Sequence, residues 1–502
     1  MNKQFTSSMI LILVLCTSLL TLRAQSIKAE PFHALNSESA LEAHIDVPFY
    51  YQEKDYYCGP AALQMVFNYY GENISQYEIA NVARTIGEPL YSTFTDELRR
   101  AGHFSNMSTS MGDETPENIT GYSLRGLGYA AFEAQSMSLT TLESFINQGK
   151  PLILLMWYSG HHVSGHYRVA TGYNETHVFL HDPWNKPLWG GSYGGPNIAF
   201  NNSELLDLWS YSSYWYLYVS PWTINVSLPS YVKSGTPFQI LSTIAYPQPP
   251  SNALSVYPAS SCNASITLPT NLSLAPSEIA SKTIGTGSFQ AGTISMINWT
   301  LIADSSSIGT ICITVEGMIS GSVGAHGPYT AYSYTDRIGV KASFIANVLA
   351  DNSTPAIEAI SRIPETDVQP DQEVKVTANI TDHESGIEAA TLFFTIDNGT
   401  AWENRTMDLN QSTSLYEATI PGQQAGKWVR FEIFACDRVG NNITLDGTEP
   451  YFTYQVMPEF QTIFALPLFM ILSFLLVVVW RNHRRRSILR QHGESSCLKA
   501  ET

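Results

Sequence analysis

The sequence predicts a multidomain fold, in which an α+β domain comes first, two all-β sandwich domains follow, and one transmembrane helix lies near the C-terminus. Its 502 residues exceed what a single hydrophobic core usually holds, so several domains are expected. Helix-like and strand-like patterns alternate up to about residue 222, after which Ser, Thr, Pro, Gly and β-branched residues predominate without a helical period. An uncharged apolar run occupies 462–480, close to the roughly 20 residues that a spanning helix needs.

Both ends of the chain carry signals of a membrane-anchored, exported protein. Residues 1–24 combine Lys3, an apolar run and the small residue Ala24, which is typical of a secretory signal peptide. The helix predicted at 461–480 precedes the basic tail 481–502, and Lys and Arg gather on the cytoplasmic side of a membrane span. We therefore expect a single-pass type I protein of the cell membrane, with its folded domains extracellular and its C-terminus cytoplasmic.

The charge and the sequons agree with an exposed location. The formal net charge is −17, and several of the 27 Lys and Arg residues belong to the tail, so the predicted exterior is strongly acidic. Such a surface argues against a nucleic-acid partner. N-x-S/T sequons, among them Asn73, Asn225 and Asn442, are scattered over the predicted exterior, which favours N-glycans as covalent partners.

The region after residue 222 divides into two predicted β-sandwich domains, 223–350 and 351–456. Short β-branched runs such as "PFQILSTIAYP" and "TICITVEGMI" alternate with turn residues in the first of them. Its two cysteines, Cys262 and Cys312, could form a disulfide outside the cytosol or remain a pair of free buried thiols, and both readings stay open.

The second of these domains resembles the immunoglobulin-like and fibronectin type III-like modules of microbial surface proteins. The segments "TDHESGI", "YEATIPG" and "VRFEIFACDRVGN" carry the resemblance, over about a hundred residues. It implies a spacer or adhesion role for 351–456.

One cysteine near the N-terminus is placed as a nucleophile would be. Cys58 opens the segment "CGPAALQMVFNYYG", where Pro60 suits the first turn of a helix and apolar residues follow at helical spacing. The first turn of a helix stabilises a thiolate through its free N–H groups and its dipole. A nucleophilic thiol also needs a base, and that base needs a group to orient it.

The segment "SGHYRVATGYNETHVFLHDPW" offers both partners. Two strand-like runs flank a turn at 173–175, and a hairpin symmetric about Asn174 would place His166 directly across from Asp182. An imidazole and a carboxylate would then lie side by side on one face of the sheet.

Three further residues are candidates for the same site. The carboxamide of Gln52 and the backbone N–H of Cys58 could together stabilise an oxyanion. Tyr57 and Trp184 are candidates for lining the cleft, with simple core packing as the equal alternative.

Taken in order, "Q-x5-CGP", "GHYRVATGY" and "DPW" resemble the papain-like clan, and within it the bacteriocin-processing peptidases, cysteine peptidase family thirty-nine. The resemblance covers about 45–222 of a domain predicted at 30–222. It implies a papain-like α+β fold that needs no cofactor or metal. It further implies Cys58 as nucleophile, His166 as general base, Asp182 as orienting carboxylate and Gln52 in the oxyanion hole.

The expected activity is hydrolysis of peptide bonds in a peptide or protein substrate, and other functions remain open. A transpeptidase or amidase would use the same residues, because the triad does not choose between water and an amine as acceptor. A surface adhesion protein could keep the fold without catalysis. A metal site formed by His161, His162 and His166 is weaker, because the ligand spacing is poor and Cys58 would have no purpose. No Walker sequence is present, so the exporter-linked leader processing of the best-known relatives is not expected.

Overall fold

The structure is a computed structural model that describes residues 42–109, 120–184, 194–446, 452–458 and 462–493. The predicted signal peptide, 1–24, and the end of the predicted tail, 494–502, lie outside the described residues. We refer below to an N-terminal unit (42–222), a middle unit (223–350) and a third unit (351–458). The domain limits predicted from the sequence stay predictions, and these names serve only for description.

The N-terminal unit is an α+β structure built on one antiparallel sheet. The sheet has the order β2-β7-β3-β4-β5-β6, and β1 pairs with β4. Its strands are β1 (Ala43–His44), β2 (Ala130–Ala134), β3 (Leu152–Trp157), β4 (Gly165–Tyr173), β5 (His177–Asp182), β6 (Gly195–Asn201) and β7 (Tyr216–Ser220). Its helices are α1 (Cys58–Tyr69), α2 (Gln76–Val82), α3 (Thr95–His103), α4 (Leu139–Asn147) and α5 (Asn202–Trp209), with a 3₁₀ turn at Tyr211–Ser213.

Local sequence explains where these helices begin. Ser75 caps α2 in a capping box, because its side chain accepts a hydrogen bond from Glu78 N while the Glu78 carboxylate accepts one from Ser75 N. Ser138 and Asn201 cap α4 and α5 in the same side-chain-to-backbone manner. Helix α1 packs its apolar face on β4, and the uninterrupted apolar run of β3 suits a strand in the middle of the sheet.

The middle unit consists of two β-sheets. One has the order β12-β15-β10-β8; the other has the order β13-β11-β16-β17-β9, with β14 pairing with β11. The strands are β8 (Thr223–Ser227), β9 (Tyr231–Val232), β10 (Pro237–Ala245), β11 (Ala259–Thr267), β12 (Leu272–Leu274), β13 (Ser281–Thr283), β14 (Ser288–Phe289), β15 (Ile294–Ala303), β16 (Ser307–Val323) and β17 (Tyr332–Ala350).

The third unit also consists of two sheets, which face a core of their own. Their orders are β18-β19-β23-β22 and β21-β20-β24-β25, with β26 pairing with β24. The strands are β18 (Ala356–Ile363), β19 (Val374–Thr381), β20 (Ile387–Thr395), β21 (Glu403–Thr406), β22 (Asp408–Asn410), β23 (Leu415–Ile420), β24 (Trp428–Asp437), β25 (Asn442–Leu445) and β26 (Thr453–Gln455).

A last helix, α6, runs from Thr462 to Gly493. Within the residues that the structure describes, no helix combines the length and the apolar character needed to cross a membrane. The transmembrane helix predicted at 461–480 is therefore not supported by this part of the chain.

The two cysteines of the middle unit do not form the disulfide that the sequence left open. Both Cys262 and Cys312 are free thiols. Cys312 lies opposite Thr267 in the β11–β16 ladder, whereas Cys262 lies five residues further along β11. Five residues of strand span about 17 Å, far beyond the roughly 7 Å at which two Cα atoms can be bridged. The alternative of two free thiols is the one observed, with Cys262 buried and Cys312 half-buried.

The N-terminal and middle units share one continuous hydrophobic core, which extends from Ile45 to Val348. Polar contacts reinforce the junction, and several of them join α3 to the long β16–β17 hairpin. Arg100 Nε lies 3.5 Å from Asp336 Oδ2 with both side chains fully buried. His103 Nδ1 lies 3.1 Å from the Tyr334 hydroxyl. The packing thus crosses the boundary predicted at residue 222, and the middle unit supports the sheet that carries the candidate site.

We predict that Asp336→Ala lowers the free energy of unfolding of the full chain by about 3–5 kcal/mol, because the buried Arg100 guanidinium would lose the buried carboxylate beside it. Urea unfolding followed by tryptophan fluorescence measures this. The control is Glu403→Ala, which removes an exposed ion pair with Arg405 and should cost less than about 1 kcal/mol. Equal losses in the two variants would contradict a buried junction.

Candidate active site

The thiol of Cys58 lies at the first residue of α1, as the sequence predicts. No acidic residue occupies the first turn of this helix, so nothing there opposes the favourable effect of the helix dipole on an anion. The helix start is tightly held, since a Cβ at Gly59 would lie 3.1 Å from Thr93 Cβ and 3.3 Å from Tyr167 Cδ2. Tyr167 is itself fixed by a 2.8 Å hydrogen bond from its hydroxyl to Thr93 O.

His166 and Asp182 meet in the interior beside this thiol. The Nε2 atom of His166 lies 2.7 Å from Asp182 Oδ1, and both side chains are buried. Because Nε2 of His166 is hydrogen-bonded to Asp182, Nδ1 is the ring nitrogen that can exchange a proton with a reacting group. Asp182 Oδ1 also accepts a 2.9 Å hydrogen bond from the backbone N–H of Trp184.

The electrostatics of the three groups favour a thiolate and an imidazolium. Burial raises the pKa of Cys58, but a hydrogen bond to His166 and that residue's charge outweigh burial and hold the pKa below its ordinary value. Burial lowers the pKa of His166, yet the Asp182 carboxylate brings it above its ordinary value. Burial raises the pKa of Asp182, but the charges of Arg168 and His166 hold it well below its usual range.

The hairpin that joins His166 to Asp182 differs in register from the prediction. Strands β4 and β5 pair Val169 with His181, and nearer the turn they pair Tyr173 with Val178, so the hairpin is not symmetric about Asn174. Asn174 instead begins a four-residue turn, in which its Oδ1 accepts hydrogen bonds from Thr176 N at 3.0 Å and His177 N at 2.8 Å.

A register irregularity between Ala170 and Gly172 shifts the ladder by one residue back toward the predicted register, but not far enough to restore it. Extending the observed pairs places Arg168, not His166, directly opposite Asp182. His166 reaches Asp182 along the diagonal of the same sheet face, which side chains of this size can span. The predicted contact is present, although the predicted pairing is wrong.

Arg168 is the residue that the sequence analysis missed. Its fully buried guanidinium donates from Nε to Asp182 Oδ2 at 2.7 Å. It also donates from Nη1 to Trp157 O at 3.1 Å and from Nη2 to Tyr158 O at 2.9 Å. The available signal was an arginine inside "YRVA", where every neighbour is typical of a buried strand and an unpaired charge would be costly.

Gln52 lies beside the end of β5. Its backbone N–H donates to Pro183 O at 2.7 Å, which ties it to the residue after Asp182. Its buried side chain donates from Nε2 to Lys54 O at 2.9 Å, while Oε1 has no hydrogen-bond partner among the described residues. The chain therefore brings Gln52 to the same corner of the sheet as the histidine–aspartate pair.

The two aromatic candidates have different surroundings. Trp184 contacts the site, with its ring centre 6.0 Å from that of His166. Nothing in the sequence pointed to Tyr158, whose ring packs edge-to-face against the same imidazole with the two ring centres 5.5 Å apart. Tyr158 also contacts Trp184. Tyr57 packs edge-to-face on Tyr56 and Tyr77, and burial raises its pKa to about 12. These surroundings fit the alternative of core packing and not that of lining the cleft.

The neighbouring histidines have partners of their own. His162 stacks on Trp157 and lies 3.0 Å from Asp207 Oδ2. His181 Nε2 lies 2.7 Å from Val47 O.

Among the described residues, the acidic and histidine side chains that converge closely enough to hold a metal ion are elsewhere, at Asp351, Asp382 and Glu384. The Asp351 oxygens there already accept hydrogen bonds from Ser353 N and Ser385 N.

Comparison with known proteins identifies the first part of the chain. Residues 44–201 match the Peptidase_C39 like family, so the chain contains a domain of this type. The resemblance predicted from "CGP", "GHYRVATGY" and "DPW" is thereby confirmed for those residues. The immunoglobulin-like resemblance of 351–456 lies outside the match and stays a prediction.

The other comparisons add no functional information. No curated protein matches the chain. A purple acid phosphatase structure, PPD1 from seeds of yellow lupin (Lupinus luteus), aligns over 47% of this chain with 8% identity and a TM-score of 0.15. The alignment spans 41% of that structure, and a likeness this weak supports no argument about fold or function.

We predict that iodoacetamide at neutral pH modifies Cys58 well before Cys262, because only the thiolate reacts. The pKa of Cys58 is lowered, whereas burial raises that of Cys262 to about 11. Mass spectrometry of tryptic peptides after timed alkylation of the folded chain measures both rates. Equal rates, or a faster Cys262, would contradict the described environment of Cys58.

Proposed function

We propose that this protein is a cysteine peptidase that cleaves peptide bonds through Cys58, His166 and Asp182. One observation carries the proposal: inside a Peptidase_C39-like domain, a thiol at a helix start shares a buried site with a hydrogen-bonded histidine–aspartate pair. A purely structural domain has no need for this arrangement, which lowers the pKa of a thiol and raises that of an imidazole.

The reaction follows from the geometry of the site. The Cys58 thiolate attacks the carbonyl carbon of the scissile amide, and the negative charge moves to the carbonyl oxygen. The backbone N–H of Cys58 and the Gln52 carboxamide are the proposed donors to that oxygen. His166 then gives its Nδ1 proton to the leaving amine as the C–N bond breaks, which leaves a thioester on Cys58.

Hydrolysis of the thioester completes the cycle. His166, now neutral, takes a proton from water, and the resulting hydroxide-like oxygen attacks the acyl carbon. The C–S bond breaks, the acid product leaves, and the thiolate and imidazolium are restored. Asp182 holds the ring in place throughout because its Oδ1 is bound to Nε2.

We expect Cys58→Ala and His166→Ala each to reduce kcat/KM for peptide hydrolysis by at least about 10³-fold, because each removes a group that bonds to or protonates the reacting atoms. Asp182→Asn should lower kcat by a similar order, and Gln52→Ala by about 10²-fold or more. Cleavage of a peptide library by the purified chain, read by mass spectrometry, supplies a substrate for these assays.

The matched control is Cys312→Ser, a half-buried thiol of the middle unit that should leave the activity unchanged. Cleavage that persists in Cys58→Ala would overturn the proposal. Added hydroxylamine distinguishes the acceptor: a hydroxamate formed in preference to the acid would indicate acyl transfer to amines rather than hydrolysis.

We further propose that the catalytic domain faces the cell exterior. The signal-like residues 1–24 and the sequons on exposed side chains such as Asn73, Asn225 and Asn442 support this location. A membrane-impermeant biotinylation reagent applied to intact producing cells should label peptides before residue 460. Labelling only after the cells are broken open would contradict an exterior location.

A further inference from the structure

We propose that Arg168 is a positioning residue of the candidate site: it holds Asp182 and the end of β3 in one arrangement and supplies the permanent counter-charge of the buried carboxylate. The proposal rests on the proposed function, because it assigns a role in a site whose nucleophile is Cys58.

The guanidinium of Arg168 binds acceptors on two neighbouring strands. Three of its N–H groups bind at once to Asp182 Oδ2, Trp157 O and Tyr158 O, at 2.7, 3.1 and 2.9 Å. These acceptors belong to β5, to the last residue of β3 and to the residue that follows it, while Arg168 itself is on β4. A rigid planar fork can fix three acceptors relative to one another, which a lysine ammonium on a flexible stem cannot do.

The carboxylate of Asp182 is shared between two cationic side chains. Asp182 gives one oxygen to His166 and the other to Arg168. In the proposed cycle His166 loses and regains its charge, whereas an arginine stays protonated at every accessible pH. When His166 is neutral, Arg168 is therefore the charge that keeps the buried Asp182 ionised and able to hold the ring.

Arg168 also contacts the wall of the site. The Tyr158 carbonyl bound by Arg168 belongs to the residue whose ring lies 5.5 Å from the His166 ring. The same guanidinium thus restrains the carboxylate on one side of the imidazole and the aromatic contact on another. Loss of the fork should loosen both, so the imidazole would spend less time in line with the thiol.

The charged and titratable groups around the thiol define the expected pH effect. They are Cys58 on α1, His166, Tyr167 and Arg168 on β4, Asp182 on β5, and Tyr158 after β3. Removing the Arg168 charge leaves an uncompensated carboxylate near the site. That disfavours the thiolate and favours the imidazolium, so the pKa of each should rise.

The experiment measures the pH profile of Cys58 alkylation by iodoacetamide in the full chain, read on the Cys58 peptide by mass spectrometry. This readout needs no substrate. Arg168→Gln should move the midpoint of the profile to higher pH by about one unit or more. Arg168→Lys keeps the charge and should leave the midpoint within a few tenths of a unit of the original. Because the lysine lacks the fork, it should still lower kcat for peptide hydrolysis about tenfold with little change in KM.

The outcomes separate this proposal from the proposed function. An unreactive Cys58 in the natural chain would refute the nucleophile itself. A reactive Cys58 whose profile is unchanged in Arg168→Gln would overturn the role of Arg168 alone, and so would unimpaired kcat in Arg168→Lys. Circular dichroism confirms folding, and should Arg168→Gln fail to fold, the Arg168→Lys kinetics decide the question.

Discussion

The buried carboxylate of Asp182 is the constraint on which the candidate site depends. A carboxylate removed from water is costly unless charged or hydrogen-bonding partners surround it. Asp182 meets this requirement with an imidazole and the Trp184 backbone N–H on one oxygen and a guanidinium on the other. Satisfying the carboxylate therefore also orients His166, and an oriented His166 in turn stabilises the Cys58 thiolate. The need to satisfy this one buried carboxylate thus brings together three strands and the start of one helix.

The middle unit takes part in this arrangement at a distance. Helix α3 carries two arginines and a histidine into the junction, where β16 and β17 supply a polar partner for each of them. Such a buried polar interface permits few other alignments of the two units, because a shift of one unit against the other would leave a buried charge without its partner. A cleft of about 790 Å³ opens between the two units, lined by Tyr70, Glu72, Trp222, Glu316 and Arg337 among others. Cys58 is not among its lining residues, so this cleft is separate from the candidate site.

Sequence reasoning predicted the helix that begins at Cys58 from Pro60 and the apolar spacing, and the partnership of His166 with Asp182 from the hairpin, because both depend on local structure; the α+β fold followed from the family resemblance. It placed His166 directly opposite Asp182, which the longer turn that begins at Asn174 rules out, and the irregularity beyond Ala170 recovers only one residue of the difference. It missed Arg168, because the sequence does not show which carboxylate a single arginine in an apolar strand will pair with. It could not exclude a disulfide between Cys262 and Cys312, because strand register follows from tertiary pairing.

The most direct test of the account is detection of the thioester itself. The full chain should be mixed with a peptide that it cleaves, quenched in acid, and digested for mass spectrometry. We expect an acyl adduct on the Cys58 peptide that disappears in Cys58→Ala and accumulates poorly in His166→Ala. Turnover without an adduct, or an adduct on another cysteine, would show that the sulfur of Cys58 is not the attacking atom.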